Sequence, residues 1–391
     1  MKIVVIGFGQ CGCNIADQFY AINTHAKSTF SRQIEILTDS FAVNTDDADL
    51  GGFKHIPTDR HHRIVIGGVR TFGHGVGKKN VDAAKIIKEG HSVITDNILD
   101  SKKFHESDGI LAIASGGGGT GSGAIGWVIK KLKERIEKPV YAVVVLPFGY
   151  EENGLTSYAV TNTATCLRTA NQYADAVFLL DNERFARRDN SLSRNLNQIN
   201  GEFVNNFYDL FCAGEEKRQK YLGSKVIDAG DIKQTLEGLT AIGRGQIDLV
   251  RFYRRNKEHF RQEAKEMSTV AGALDKAMNN LSVAVNLEDA RKILVLLTAP
   301  KGAITLNALE EVATMLQERA PKAVLRIGDY PRRGKDVSLT LLVSGLTKVA
   351  RVENLYLQAT DLFKKQVNID REARDLVQQL SQTGDKLPTL D

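Results

Sequence analysis

Ser115-Gly116-Gly117-Gly118-Gly119-Thr120-Gly121-Ser122-Gly123 is the stretch that decides how this chain folds. Six glycines in nine positions cost backbone entropy. A chain accepts that cost where other atoms approach the main chain closely or where φ is positive. The apolar run Ile110–Ala114 precedes the stretch. After it, Ile125, Ile129, Leu132 and Ile136 recur at helical spacing, with Lys130, Lys131, Lys133 and Arg135 on the other face. Strand, glycine loop and helix in that order bring bare N–H groups to a helix N-terminus, an anion cradle to which Thr120 and Ser122 add hydroxyl donors. A flexible surface loop is the alternative, disfavoured by so tight a join between a buried strand and a helix. No Gly-Lys-Ser/Thr occurs here, so the loop is not of the Walker type.

A second glycine loop opens the chain. Ile3–Ile6 runs into Gly7-Phe8-Gly9-Gln10-Cys11-Gly12, a G-x-G-x-x-G that lets backbone approach a pyrophosphate. Alone it suggests a dinucleotide, with Asp39 or Glu35 as the ribose acid. Further apolar runs at Ile34–Leu37, Val140–Leu146 and Val177–Leu180 alternate with helical patterns. This predicts an α/β fold whose parallel sheet is covered by helices, with both glycine loops at the carboxyl ends of strands. Leu192–Cys212 reads as one long helix, and a different pattern starts near Val226. A helix around Leu274, Met278 and Leu281, strand Ile293–Thr298, helix Leu306–Leu316 and strands Ala323–Ile327 and Val337–Val343 then predict a smaller mixed α/β domain. The chain reads as helical from Val352 and ends polar. The predicted division is a nucleotide-binding domain over 1–190, a connecting helix and loop over 191–225, the C-terminal α/β domain over 226–350 and a tail over 351–391.

The 391 residues are 42% hydrophobic and 25% charged, an ordinary globular balance, and the net charge of +5 is interspersed. Bulk charge therefore argues for neither a nucleic-acid nor a membrane partner. Ile3–Ile6 is too short for a signal peptide core, and no run approaches the ~18 apolar residues of a membrane span, so the expected location is the cytoplasm. The four cysteines fit a reducing compartment. Cys11 and Cys13 form one C-x-C without further ligands at metal spacing. His55, His61, His62 and His74 cluster without ordered ligand spacing, so no metal site is predicted from the pattern. Arg251, Arg254, Arg255, Lys257 and Arg261 sit among Glu258, His259 and Glu263, the composition of a solvated helix face, with a partner contact as the alternative.

Gly117 to Gly123, G-G-G-T-G-S-G, resembles the signature of the tubulin/FtsZ superfamily of GTP-dependent polymerising proteins. Other motifs follow in family order: Gly7 to Asn14, Asn44-Thr45-Asp46, Gly73 to Gly77, Pro147-Phe148, Asp181-Asn182, and Asp228 to Asp231. Gly9-Gln10-Cys11-Gly12 is similar to tubulin, whereas Asn44-Thr45-Asp46 and Pro147-Phe148 are similar to FtsZ. That mixture resembles the archaeal CetZ group. The resemblance implies GTP or GDP with Mg²⁺, a head-to-tail homopolymer, and a role in cell shape or division.

It also implies site residues. Gly9, Gln10, Cys11 and Asn14 would line the phosphate and ribose. Ala114 to Gly123, with Gly117, Gly118, Gly119, Thr120 and Gly121, would clasp the β- and γ-phosphates. Asn44, Asp46 and Gly75 would approach the γ-phosphate side. Glu151 would meet the ribose, and Asn182 and Asn200 would read guanine. Asp228 and Asp231 would reach the GTP of the next subunit and complete hydrolysis there. Two positions depart from FtsZ: Leu155 replaces an arginine, and Val226 an asparagine at the start of the catalytic loop.

Local readings remain open beside these. Asn182 would cap a helix, Asn44 and Asp46 would hold an Asx turn, and Asp228 to Asp231 would be a capped turn. Two other functions compete. A dinucleotide-dependent oxidoreductase leaves the second glycine loop unexplained. A binding protein holding GTP without turnover requires that Asp228 and Asp231 serve no γ-phosphate.

Overall fold

In the computed structural model, which describes residues 1–153, 158–185, 192–249, 259–301 and 305–365 without the side chains of 192, 193 and 259–268, the opening apolar run is β1 (Ile3–Phe8). The first half continues through α1 (Gly9–Lys27), β2 (Leu37–Asn44), α2 (Asp47–Gly51), β3 (Arg63–Val65), α3 (Asn80–Leu99), β4 (Gly109–Ser115), α4 (Thr120–Lys133), β5 (Val140–Leu146), α5 (Tyr158–Tyr173), β6 (Ala176–Asp181) and α6 (Asn182–Phe185). The long helix is α7 (Leu192–Ala213). Then follow α8 (Ala229–Thr235), β7 (Gly238–Asp248), α9 (His259–Asn279), β8 (Lys292–Ala299), α10 (Leu306–Arg319), β9 (Val324–Pro331) and β10 (Asp336–Leu346). A last helix, α11, is described over 350–365. The polar end and the basic run Arg251 to Arg261 lie outside the described residues or their side chains.

The described strands form one sheet in the order β3-β2-β1-β4-β5-β6-β7-β10-β8-β9. From β3 to β7 neighbours run parallel, whereas β10 is antiparallel to both β7 and β8. The direction of winding reverses between β1 and β4, the point at which open α/β sheets leave a crevice beyond their carboxyl ends. Helices α3, α4 and α5 pack on one another over one face, above Val4, Ile6, Phe8, Ala112 and Val144. Helices α1 and α7 cover the other, above Val5, Ile113, Val143 and Val145. Phe207 of α7 anchors that layer, with the rings of Phe19, Phe178, Phe203 and Phe211 at centroid distances of 5.1 to 5.5 Å. No described helix is long and apolar enough to cross a membrane.

Besides the short edge strand β3, which the sequence reading does not include, two strands depart from the sequence expectation. The second covers Leu37–Asn44 and not Ile34–Leu37. The amides of Ile36 and Leu37 are taken by Asn23 Oδ1 at 3.0 and 3.1 Å, while Thr38, Asp39 and Ser40 interrupt the apolar run that marks a strand. The seventh, GLTAIGRGQID, carries glycines that argue against a strand. A Cβ on Gly243 or Gly245 would collide with the carbonyls of Ala277 and Ala273, so these glycines are where α9 lies directly on the sheet.

Candidate functional site

The two glycine loops leave adjacent strands, because β1 pairs with β4 as far as Phe8 opposite Ala114. Gly9 opens α1 at φ +66°, and a Cβ there would lie 3.1 Å from Gly121 N. In the signature loop the glycines divide by what stands against them. A Cβ on Gly116 would meet Thr163 Cγ2 at 2.8 Å, on Gly119 Val76 Cγ2 at 2.6 Å, and on Gly121 Phe8 O at 2.6 Å; on Gly123 it would collide with Asn80 O. Gly117 has Ala159 Cβ at 3.4 Å, and Gly118 has nothing within 4 Å. None of Gly116 to Gly123 has a positive φ, so close approach and not left-handed backbone explains the glycines. Most serve protein packing, whereas a Cβ on Gly118 would stand in open space.

The hydroxyls divide similarly. Ser122 Oγ donates back to Gly118 O and, at 3.2 Å, to Gly119 O, so it braces the loop rather than facing an anion. Thr120 Oγ1 lies 2.7 Å from Thr45 Oγ1, linking the signature loop to the end of β2. Asn162, 2% exposed on α5, donates to Lys78 O at 2.7 Å and Gly118 O at 3.0 Å. The sequence reading missed this residue. Its signal is an amide on the buried side of a helix, which must be satisfied by something.

The stretch after β2 closes over the same crevice. Asn44 Nδ2 donates to Asp49 at 2.9 Å while its Oδ1 accepts from Thr45 N at 2.8 Å. Asp46 Oδ1 accepts from Ala48 N and Asp49 N at 3.0 and 3.3 Å, capping α2. The Asx-turn reading therefore describes Asp46, whereas Asn44 bonds the next amide and Asp49 and makes no such turn. Gly73, Gly75 and Gly77 hold φ of +78°, +78° and +56°, the conformations that favour glycine, and His74 bridges to Asp46. This loop abuts the signature loop through Val76 against Gly119.

Beyond β5 and β6 lie the residues matched to ribose and base. Glu151 Oε2 accepts from Phe148 N at 2.9 Å. Cys11 is close enough for the Glu151 charge to act on it, and burial chiefly pushes its thiol up to about 12, which leaves an inert neutral side chain. Gln10 and Asn14 are exposed on the first turns of α1. Asn182 begins α6 and is 6% exposed, and its Oδ1 is buried without a hydrogen-bond partner among the described residues. Asn200 is buried on α7. Arg351 at the start of α11 donates to Pro147 O at 2.9 Å, pairs with Glu152 and lies 3.5 Å from Asp181. Burial pushes the Asp181 carboxyl up, with Arg351 opposing it. Leu155 lies outside the described residues.

Asp228 and Asp231 are elsewhere. Asp231 N donates to Asp228 at 2.9 Å and Asp228 N to Asp231 at 3.2 Å, a reciprocal cap on α8, with Arg326 Nε 3.6 Å from Asp231. The Met1 ammonium donates to Phe211 O at 2.8 Å, and a Cβ on Gly214 would lie 2.6 Å from Met1 N and 3.5 Å from Ala229 N. The acids thus sit by the amino end of β1 and the glycine loops at its carboxyl end. A six-residue strand such as β1 separates them by about 20 Å. The dinucleotide reading loses its acid here: Asp39 contacts His62 and Ser101, and Glu35 contacts Lys27 and Lys103, while Asn44 holds the carboxyl end of β2.

Known proteins match this arrangement. Residues 2–189 match the family described as Tubulin/FtsZ family, GTPase domain, and residues 189–361 match Tubulin-like CetZ, C-terminal domain. Tubulin-like protein CetZ1 of Haloferax volcanii is 30% identical, covering 98% of this chain and 95% of its own length. Its solved structure, a monomer with GDP bound, aligns with a TM-score of 0.78 at 29% identity over 92% of this chain and 99% of that one. CetZ2 of the same organism, solved as a protofilament with GTPgS bound, aligns with a TM-score of 0.79 at 25% identity, covering 94% and 99%. The chain belongs to the tubulin-like CetZ group of the tubulin/FtsZ family.

Proposed function

We propose that this protein binds GTP and GDP beyond the carboxyl ends of β1, β4, β5 and β6, polymerises head to tail, and hydrolyses GTP at each junction with Asp228 and Asp231 of the neighbouring subunit. The observation that carries this reading is the pairing of a glycine loop, open at Gly118, at one end of the sheet with two acids at the other. No single copy brings them together, whereas stacking copies along the strand direction does. The relatives CetZ1 and CetZ2, with GDP and GTPgS bound and CetZ2 in a protofilament, support it.

The pocket's chemistry fits the ligand. Backbone N–H groups from Gly117 to Thr120, the N-termini of α1 and α4, and Gln10 offer donors to phosphate oxygens. Asn182 and Asn200 offer carboxamides, which pair with the mixed donors and acceptors of guanine, and the orphaned Asn182 Oδ1 is an acceptor for guanine N–H groups. Thr45, Thr120 and Asp46 offer the oxygen donors that a phosphate-bound Mg²⁺ takes, and such an ion offsets the charge on the transferring phosphoryl. Asp228 and Asp231 of the next copy would orient the attacking water and accept its proton. On this reading 1–190 holds the nucleotide, 191–225 spans the sheet, and 226–350 presents the acids, with the polymer acting in the cytoplasm on cell shape or division.

A second reading, GTP held without turnover, is favoured by the mutual cap of Asp228 and Asp231, which gives both acids a structural task. Asp231→Asn separates the two, since the amide still accepts a hydrogen bond but carries no charge. We expect nucleotide-stripped protein to form filaments on adding GTP, seen by negative-stain microscopy, with turnover per subunit rising with protein concentration. Asp231→Asn should assemble and hydrolyse slowly. Full-rate hydrolysis by dilute monomer, or unchanged hydrolysis in a folded Asp231→Asn protein, overturns the shared site.

A further inference from the structure

At the β2–β3 edge of the sheet, away from the crevice, three side chains from two segments converge. Asp39 lies on β2, and His61 and His62 immediately precede β3, where Ala42 N donates to His62 O at 2.8 Å. One ligand atom from each of Asp39, His61 and His62 lies within 4.8 Å of the others. His55 and His74 do not join them: the other histidines of the sequence cluster are replaced by an aspartate that sequence spacing does not reveal.

The surroundings hold each group in place. His62 Nδ1 lies 2.8 Å from both oxygens of Asp59, whose Oδ1 also accepts from the amides of His61 and His62. The His62 ring stacks on Phe41 at 5.6 Å and 18°, and His61 stands edge-on to it at 5.0 Å. Asp39 accepts from Ser101 Oγ and, at 2.8 Å, from Ser40 N. A carboxylate on the far nitrogen of a ligating imidazole and a hydroxyl on a ligating carboxylate are the outer contacts that fix metal ligands.

With Nδ1–H donated to Asp59, His62 Nε2 presents a lone pair to Asp39 Oδ1 at 3.2 Å. Two acceptors at that distance require a cation between or beside them, either a proton on Nε2 or a metal ion. Two ligands bound to zinc at about 2.0–2.1 Å and a tetrahedral angle stand about 3.3 Å apart, so the pair needs little movement. Two imidazoles and one carboxylate select a borderline transition metal over Mg²⁺ or Ca²⁺, which take oxygen donors. The Asp39 and His62 side chains are 15% and 20% exposed, which leaves an entry path and room for a fourth ligand such as water.

We propose that Asp39, His61 and His62 form a binding site for one divalent transition-metal ion of the zinc type, with Asp59 and Ser101 orienting its ligands. The ion would tie β2 to the segment that leads into the edge strand β3.

The test uses the full-length protein, stripped of nucleotide and of metal by a chelator. Zn²⁺ is titrated by calorimetry, and Co²⁺ by the visible absorption that tetrahedral coordination gives. The expected result is one equivalent bound, a Co²⁺ band removed by added Zn²⁺, and a melting temperature that rises with Zn²⁺. His61→Ala and Asp39→Asn should each abolish the band, and Asp59→Ala should weaken binding by about 10- to 100-fold. Melting of each variant without metal checks that it folds. If one does not, the Co²⁺ spectrum of the unaltered protein decides, because tetrahedral histidine ligation has a distinct band. No saturable Zn²⁺ binding, meaning that His62 simply carries a proton between two carboxylates, overturns the proposal. So does binding that survives in folded His61→Ala and Asp39→Asn proteins.

Discussion

Replacing Gly118 separates the proposed binding role of the signature loop from its structural role. A Cβ on Gly118 meets nothing within 4 Å and its φ is not positive, so Gly118→Ala should leave the unliganded fold intact or stabilise it by about 0.4–1 kcal/mol through the unfolded chain. Gly118→Val fills the same open space with three carbons. A phosphate displaced from even two backbone N–H groups loses about 3–6 kcal/mol, since a hydrogen bond to a charged group is worth about 1.5–3. That is about two to four powers of ten in affinity. Gly121→Ala behaves differently, because its Cβ would lie 2.6 Å from Phe8 O and must push α4 away from β1. It should cost about 1–3 kcal/mol of stability, as overpacking does. Urea unfolding of unliganded protein and titration with a fluorescent GDP analogue measure the two quantities. A Gly118→Val protein that binds GDP as tightly as the unaltered chain refutes the cradle; an unstable Gly118→Ala refutes the division of the glycines.

Asn182→Ala should weaken GTP by about 1–3 kcal/mol while leaving ATP nearly unchanged, and it should not destabilise the unliganded fold, whose Asn182 Oδ1 has no described partner to lose. Equal losses for GTP and ATP in a competition titration would remove Asn182 from base recognition. Glu216 accepts from Arg218 N, Nε and Nη2 and from Tyr330 OH at 2.6 to 3.2 Å; burial pushes its carboxyl up, but the Arg218 bonds outweigh this and hold it below the ordinary value. A depressed folded value stabilises the protein above the ordinary carboxylate range of about 4.3, and this is lost as pH falls through the folded value. Glu216→Gln should thus be less stable at pH 7, and the difference in denaturant unfolding should shrink on acidification. A difference that does not change with pH contradicts the assignment.

The sequence carried the strand–loop–helix units because each buries an apolar run next to a glycine loop. It did not reveal that β1 and β4 are neighbours, which is what joins the two loops into one crevice. Nor did it show which glycines serve packing: Gly121 and Gly118 read alike until Phe8 O stands against one of them. Asn162 was hidden because a single amide in a helix has no local pattern, and β7 because its glycines answer to α9, distant in sequence. Asp39 and His62 meet only through the β2–β3 register, Ala42 opposite Arg63. The distance between the acids and the cradle depends on α7, whose 22 residues at ~1.5 Å each run about 33 Å and carry the chain to the amino end of the sheet.

That distance underlies the central claim, that hydrolysis needs two subunits, and complementation measures it directly. Gly118→Val lacks a working cradle but keeps both acids, while the double variant Asp228→Asn, Asp231→Asn keeps the cradle and lacks the acids. Each alone should be nearly inactive. In an equal mixture, roughly a quarter of heterologous junctions join an intact cradle to intact acids. The account predicts that GTP hydrolysis returns on mixing, in filaments shown by two fluorescent labels to contain both variants. Co-assembled filaments that release no phosphate above the level of either variant alone would contradict it.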